Sequence, residues 1–110
     1  MALQQRSKLE PTRDAEELTA DLCRALLMPR DEQEIGRFLV DLCTPAEIRT
    51  LAERWHVARL LDGTDLSYRQ IHDGTGVSTT TIVRVGRFLR QEGHQGYRAA
   101  IDALDGGNAR

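Results

Sequence analysis

Ser78, Thr79, Thr80 and Thr81 stand in a row and are followed by Arg84, Arg87 and Arg90. The hydroxyls are short donors and acceptors that reach base edges or phosphate oxygens without a long flexible stem. The arginines recur every three residues and offer planar, permanently charged forks suited to phosphate or to the guanine edge. Arg69 and His72 precede this run, and Val83 falls inside it. Arg69, His72, Ser78, Thr79, Thr80, Thr81, Val83, Arg87 and Arg90 therefore make a candidate surface for double-stranded DNA. The bland alternative is a capped helix start followed by a solvated arginine face, so what displays these residues decides the matter.

The local sequence supplies a display. "SYRQ" at 67–70 is a capping box, in which Ser67 and Gln70 can satisfy each other's free backbone N–H groups. It opens a short helix with Ile71 facing inward. Gly76 tolerates a left-handed backbone, Val77 plugs the corner, and Ser78 caps the next helix. That helix buries Ile82, Val85 and Leu89 and leaves Thr79, Thr80, Val83, Arg84 and Arg87 on its surface. A short helix, a glycine turn, a β-branched plug and a second capped helix form the helix-turn-helix pattern, here over about 67–91, whose second helix fits the major groove. His72 and Thr75 depart from the small and the apolar residue common at those points. The same geometry also serves in purely structural helical hairpins.

The flanking chain predicts one all-α domain over 14–104, with a flexible arm at 1–13 and a loose tail at 105–110. Leu18, Leu22 and Leu26 recur at helical spacing from Asp14 until Pro29. A second helix starts near Asp31 and carries Ile35, Phe38, Leu39 and Leu42. Both read as core-forming. "TPAE" at 44–47 combines a capping Thr44, a first-turn Pro45 and a returning Glu47. The helix it opens has an apolar stripe of Ile48, Leu51, Ala52, Trp55, Ala58 and Leu61, ending at Gly63, with Val57 and Leu60 off the stripe. A helix apolar on two faces suits a position between partners, here a second chain. Tyr97, Ile101 and Leu104 mark a final helix.

Composition narrows the class. At 110 residues, with 40% hydrophobic and only 5% aromatic residues, the core must be aliphatic and helical. The net charge of −2 hides a segregation: residues 67–98 hold five arginines against Asp73 and Glu92, while acid predominates elsewhere. No run approaches the roughly 20 apolar residues that cross a bilayer, and the first residues lack a secretory apolar centre, so the expected location is cytoplasmic, without a membrane partner. Cys23 and Cys43, outside any Cys-x-x-Cys pair, are expected as small buried apolar groups. His56, His72 and His94 lie far apart, without metal-ligand spacing, and neither a phosphate loop nor a nucleophile elbow occurs. No metal, no cofactor and no catalytic residues are expected.

Taken in order, "LCTPAEIRTLAERWHVARLL", "LSYRQI", "GVSTTTIVRV" and "GYRAAIDAL" resemble the Trp repressor superfamily, especially its YerC/YecD-type members, over about residues 31–104. The resemblance implies six helices per protomer, an intertwined homodimer, and a transcriptional regulator, a repressor by family habit. Paired recognition helices would read a palindromic operator with half-sites about 34 Å apart. It also implies an effector pocket in which two arginines sandwich the indole of tryptophan. Arg54 and Arg84 stand at those places and Thr44 at another pocket position, but Val85 replaces a glycine and Phe88 a serine.

Added volume and a lost hydroxyl cost a bound tryptophan about 1–3 kcal/mol or more, at least about tenfold in affinity. The expectation is a regulator that works without tryptophan, Val85 and Phe88 filling the space between the arginines. Alternatives are a different small effector, anionic or planar, or arginines engaged in ordinary salt bridges with Glu53 or Asp73. Two further classes compete: a helical dimerisation or protein-interaction module that does not bind DNA, and an enzyme with a concealed site.

Overall fold

The computed structural model describes residues 11–109, with side chains over 11–106. The described residues form six helices and no strand: α1 Ala15–Leu26, α2 Glu32–Leu42, α3 Pro45–Gly63, α4 Tyr68–Thr75, α5 Thr79–Arg90 and α6 Gly96–Ala109. The expected arm at 1–13 lies, up to residue 10, outside the described residues. The chain separates into two compact units, Met1–Leu42 and Cys43–Arg110, where the sequence predicts a single one.

The first unit contains well-formed helix ends and no core. Asp14 caps α1 by accepting from the Glu17 N–H at 2.8 Å, and Glu16 and Glu17 sit at the helix's positive end. Ahead of α2, Asp31 accepts from the Glu34 N–H at 2.9 Å. The Glu34 carboxylate in turn accepts from the Arg30 guanidinium at 3.0 Å and its backbone N–H at 2.7 Å, which holds the carboxyl below its ordinary range. Neither helix buries a residue, and Leu18 is 58% exposed. The predicted stripes exist, but their own unit does not bury them. For the same reason Cys23 is exposed and Cys43 half-buried, not the buried thiols the sequence suggests.

The second unit holds the core: Val57, Ala58, Leu61, Ile71, Val77, Ile82, Val85, Leu89 and Ile101, with Trp55, Leu60 and Tyr97 packed against it. Each fully buried aliphatic side chain here contributes about 1.5–3 kcal/mol of transfer free energy. Val57, expected off the inward stripe of α3, is fully buried in this core, and Leu60 packs on it. The inward face of the second half of α3 therefore runs Val57, Ala58, Leu61, whereas Leu51 in its first half is left exposed. The predicted capping box at Thr44 is present, and so is the one at Ser67.

The C-terminus differs from expectation. In place of a loose tail over 105–109, α6 continues to Ala109, and Arg110, the last residue of the expected tail, lies outside the described residues. No proline interrupts it, and each helical glycine costs only about 1 kcal/mol relative to alanine.

Candidate nucleic-acid interface

The turn between α4 and α5 is fixed by side chains as much as by backbone. Gly76 takes φ of 77°, a left-handed conformation that closes α4 through its N–H to the His72 carbonyl. Thr75 donates its hydroxyl to the Ile71 carbonyl at 2.6 Å and accepts from the Val77 N–H at 3.1 Å. His72 Nδ1 lies 2.7 Å from the Val77 carbonyl; because a carbonyl only accepts, that nitrogen carries the proton. The two departures from the usual pattern, His72 and Thr75, thus act as clamps on the corner. Ser78 caps α5, accepting from the Thr81 N–H at 3.2 Å and donating to the Thr81 hydroxyl at 3.0 Å.

A second contact sets how closely the two helices approach. A Cβ on Gly86 would fall 2.2 Å from the Tyr68 hydroxyl and 3.1 Å from the adjoining ring carbon. Tyr68 of α4 therefore lies against the backbone of α5, and a side chain at position 86 would have to displace the end of its ring. Nothing in the sequence pattern singled out Gly86, since its reason lies in a residue eighteen positions upstream.

With Ile82, Val85, Gly86 and Leu89 buried, the helical period puts Thr80, Val83, Arg84 and Arg87 on the opposite, solvent-facing side. Thr79 and Thr80 are exposed, Thr81 is half-buried and Val83 is 54% exposed. Arg69 pairs with Asp73 at 3.9 Å and Arg87 with Glu92 at 3.7 Å. Such exposed pairs are worth less than about 1 kcal/mol, so both arginines can exchange them for phosphate.

Arg90 differs. Its guanidinium donates to the Leu61 carbonyl at 2.9 Å, satisfying one of the free carbonyls at the end of α3. The structure thus occupies Arg90 with the end of α3, away from the row formed by Thr80 and Arg87. His72 keeps only Nε2 free. Ser78 and Thr81 share their hydroxyls in the cap.

The other flank of α5 borders a cavity of about 300 Å³ lined by Arg54, Arg84, Val85, Phe88, His94, Gly96 and Tyr97. Four of the five residues assigned to an effector pocket meet here. Thr44 does not: it is exposed, and its hydroxyl accepts from the Glu47 N–H in the α3 cap. Val85 is buried in the core, and Phe88 lies beneath Arg84, whose guanidinium carbon is 4.5 Å from the ring centroid. On Phe88 also stacks His94, with centroids 5.8 Å apart, and Arg87 lies 5.1 Å away.

Phe88 and Val85 therefore occupy only part of the space, and a cavity remains between the two arginines. Among the described residues neither arginine forms an ion pair, so the salt bridges to Glu53 or Asp73 do not occur; Asp73 pairs with Arg69. The Nε of Arg54 is buried without a hydrogen-bond partner. His94 and Tyr97 complete the wall from beyond the helix-turn-helix, where the sequence pattern gives them no part in a pocket.

The profile of the Trp repressor protein family matches residues 17–105. A protein of Bacillus subtilis (strain 168), YerC, described as uncharacterized, is 43% identical over 83 residues, 76% of this chain and 78% of that protein. Two solved structures share the fold at a TM-score of 0.73. One is a TrpR like protein from Eubacterium eligens ATCC 27750, 36% identical, covering 81% of this chain and 90% of the other. The other, from Staphylococcus aureus and provisionally titled a Trp repressor, is 32% identical and covers 86% and 96%.

Proposed function

The chain belongs to the Trp repressor family, and from that premise we propose that it is a cytoplasmic, sequence-specific DNA-binding regulator acting as a homodimer on a palindromic operator, a repressor by family habit. The observation that carries this reading is the row Thr80, Val83, Arg84 and Arg87 on the free face of α5, held out by a clamped turn. Short hydroxyls at the helix start meet phosphates and base edges, where the unpaired N–H groups of the first turn add positive potential. Arg69 and Arg87 bind the backbone on either side. The homodimer is supported by the apolar stripes of α1 and α2, which their own unit does not bury, and by exposed Leu51 on α3.

On this reading tryptophan is not needed. The Phe88 ring already lies against Arg84, and Val85 stands where a ligand would approach. A second reading, regulation by another small molecule, is favoured by the remaining cavity and by the unpartnered Arg54 Nε, which suit an anionic or planar ligand.

The test is binding of purified protein to duplexes recovered from a random pool, repeated across salt concentrations with and without tryptophan. With about two to three phosphates neutralised per chain, the dimer's log–log salt slope is expected near −3.5 to −5.5. Tryptophan should leave the affinity unchanged. Absence of duplex binding at low salt would overturn the DNA reading and favour a protein-interaction module. A tenfold tightening by tryptophan would overturn the effector-independent part alone.

A further inference from the structure

Val83 is an anomaly on the outward surface of α5. Its isopropyl group is 54% exposed, whereas Ile82 beside it is fully buried, and its neighbours on the free face are Thr79, Thr80 and Arg87. It borders a hollow of about 550 Å³ between α4 and α5, together with Tyr68, Arg69, His72, Asp73 and Thr79. A β-branched residue at an exposed helical position gains nothing locally: its propensity is poorer than that of alanine or arginine, and its methyl groups stay in water. One side chain ringed by hydroxyls and cations is also too small an apolar area to dock a protein.

A single apolar group among polar readers does have a counterpart in the major groove. The base edges there present donors, acceptors and one apolar feature, the C5-methyl of thymine. Its size matches one branch of an isopropyl group. We infer that Val83 is a specificity-determining residue: in each half-site its isopropyl group packs on the methyl of one thymine, while Arg69, Arg87 and the threonines set the register. This rests on the DNA-binding reading above and adds a base preference that hydroxyls and arginines alone would not impose.

Deoxyuridine removes that methyl and keeps every hydrogen-bonding group of the base. In the selected duplex, each thymine is replaced in turn and affinity measured for the wild-type chain and for Val83→Ala. One thymine per half-site should be sensitive, losing about fourfold in affinity on replacement. Val83→Ala should bind the thymine and uracil duplexes equally at that position, with helicity and melting temperature not lowered, because the residue is exposed and alanine is the better helix former. The inference is overturned if no thymine is sensitive, or if the sensitivity survives in Val83→Ala. A chain that binds no duplex at all overturns the functional reading and takes this inference with it.

Discussion

The helix pairs α1–α2 and α4–α5 begin alike. Asp14 and Asp31 stabilise the helix starts of the first pair as Ser67 and Ser78 do those of the second, and in both pairs aliphatic residues recur at helical spacing. Their burial is opposite. In α4–α5, Ile71, Val77 and Ile82 are closed over by neighbours in their own unit, while α1 and α2 bury nothing and leave Leu18, Leu22 and Leu26 at 38% exposure or more. Local rules thus decide that a helix forms and which face is apolar, but not what covers that face. In the second pair the cover is within the chain; in the first, on the proposed reading, it is a second copy.

The largest expected effect breaks that asymmetry directly. Over the two chains, Leu18→Asp combined with Leu22→Asp removes four side chains, each already part-buried and worth about 1 kcal/mol or more on further burial, and adds carboxylates to be desolvated. The dimer dissociation constant should rise by about 10² to 10⁴, seen in sedimentation velocity as a shift to monomer, with operator binding lost at the same protein concentration. An unchanged sedimentation profile would mean that the stripe is not covered by a second chain.

Much of the second unit was legible in the sequence because its signals are local. The capping boxes at Thr44 and Ser67, the glycine corner at Gly76 and the inward set Ile71, Val77 and Ile82 each depend on residues within a few positions of one another. What was not legible depends on distant partners. The close approach at Gly86 comes from Tyr68, the role of Arg90 from Leu61, and the cavity wall from His94 and Tyr97 beyond the recognition helix. Val57 was misplaced because α3 turns one face to the core in its second half and leaves its first half open, so no single stripe describes it. An arginine at the end of a basic helix looks the same in sequence whether it meets DNA or a carbonyl.

That last ambiguity yields the next prediction, smaller in size. Arg87→Ala should weaken binding about tenfold for every duplex and reduce the salt slope by about 0.9 per chain, with stability unaltered. Arg90→Ala should leave the slope unchanged and instead lower unfolding stability by about 1 kcal/mol in a urea titration, through the lost hydrogen bond to Leu61. A reduced salt slope in Arg90→Ala would move Arg90 back to the DNA surface.

The smallest effect compares the two units through their ion pairs. In the second, Arg98 of α6 bonds Asp62 of α3 across 36 positions of sequence, and the guanidinium, helped by Arg90 and Arg59, holds the Asp62 carboxyl below its ordinary 3.8. A depressed folded value means that the stabilisation is complete above the unfolded value and is lost as pH falls through the folded one. Asp62→Asn should therefore melt below the wild-type chain at pH 7, with the gap closing under acid below about pH 4. In the first unit, Glu34 is depressed in the same direction by Arg30, but those residues are four apart and can pair before the chain folds. Glu34→Gln should consequently move the acid limb less than Asp62→Asn, because only a contact absent from the unfolded chain separates the two states by its full strength.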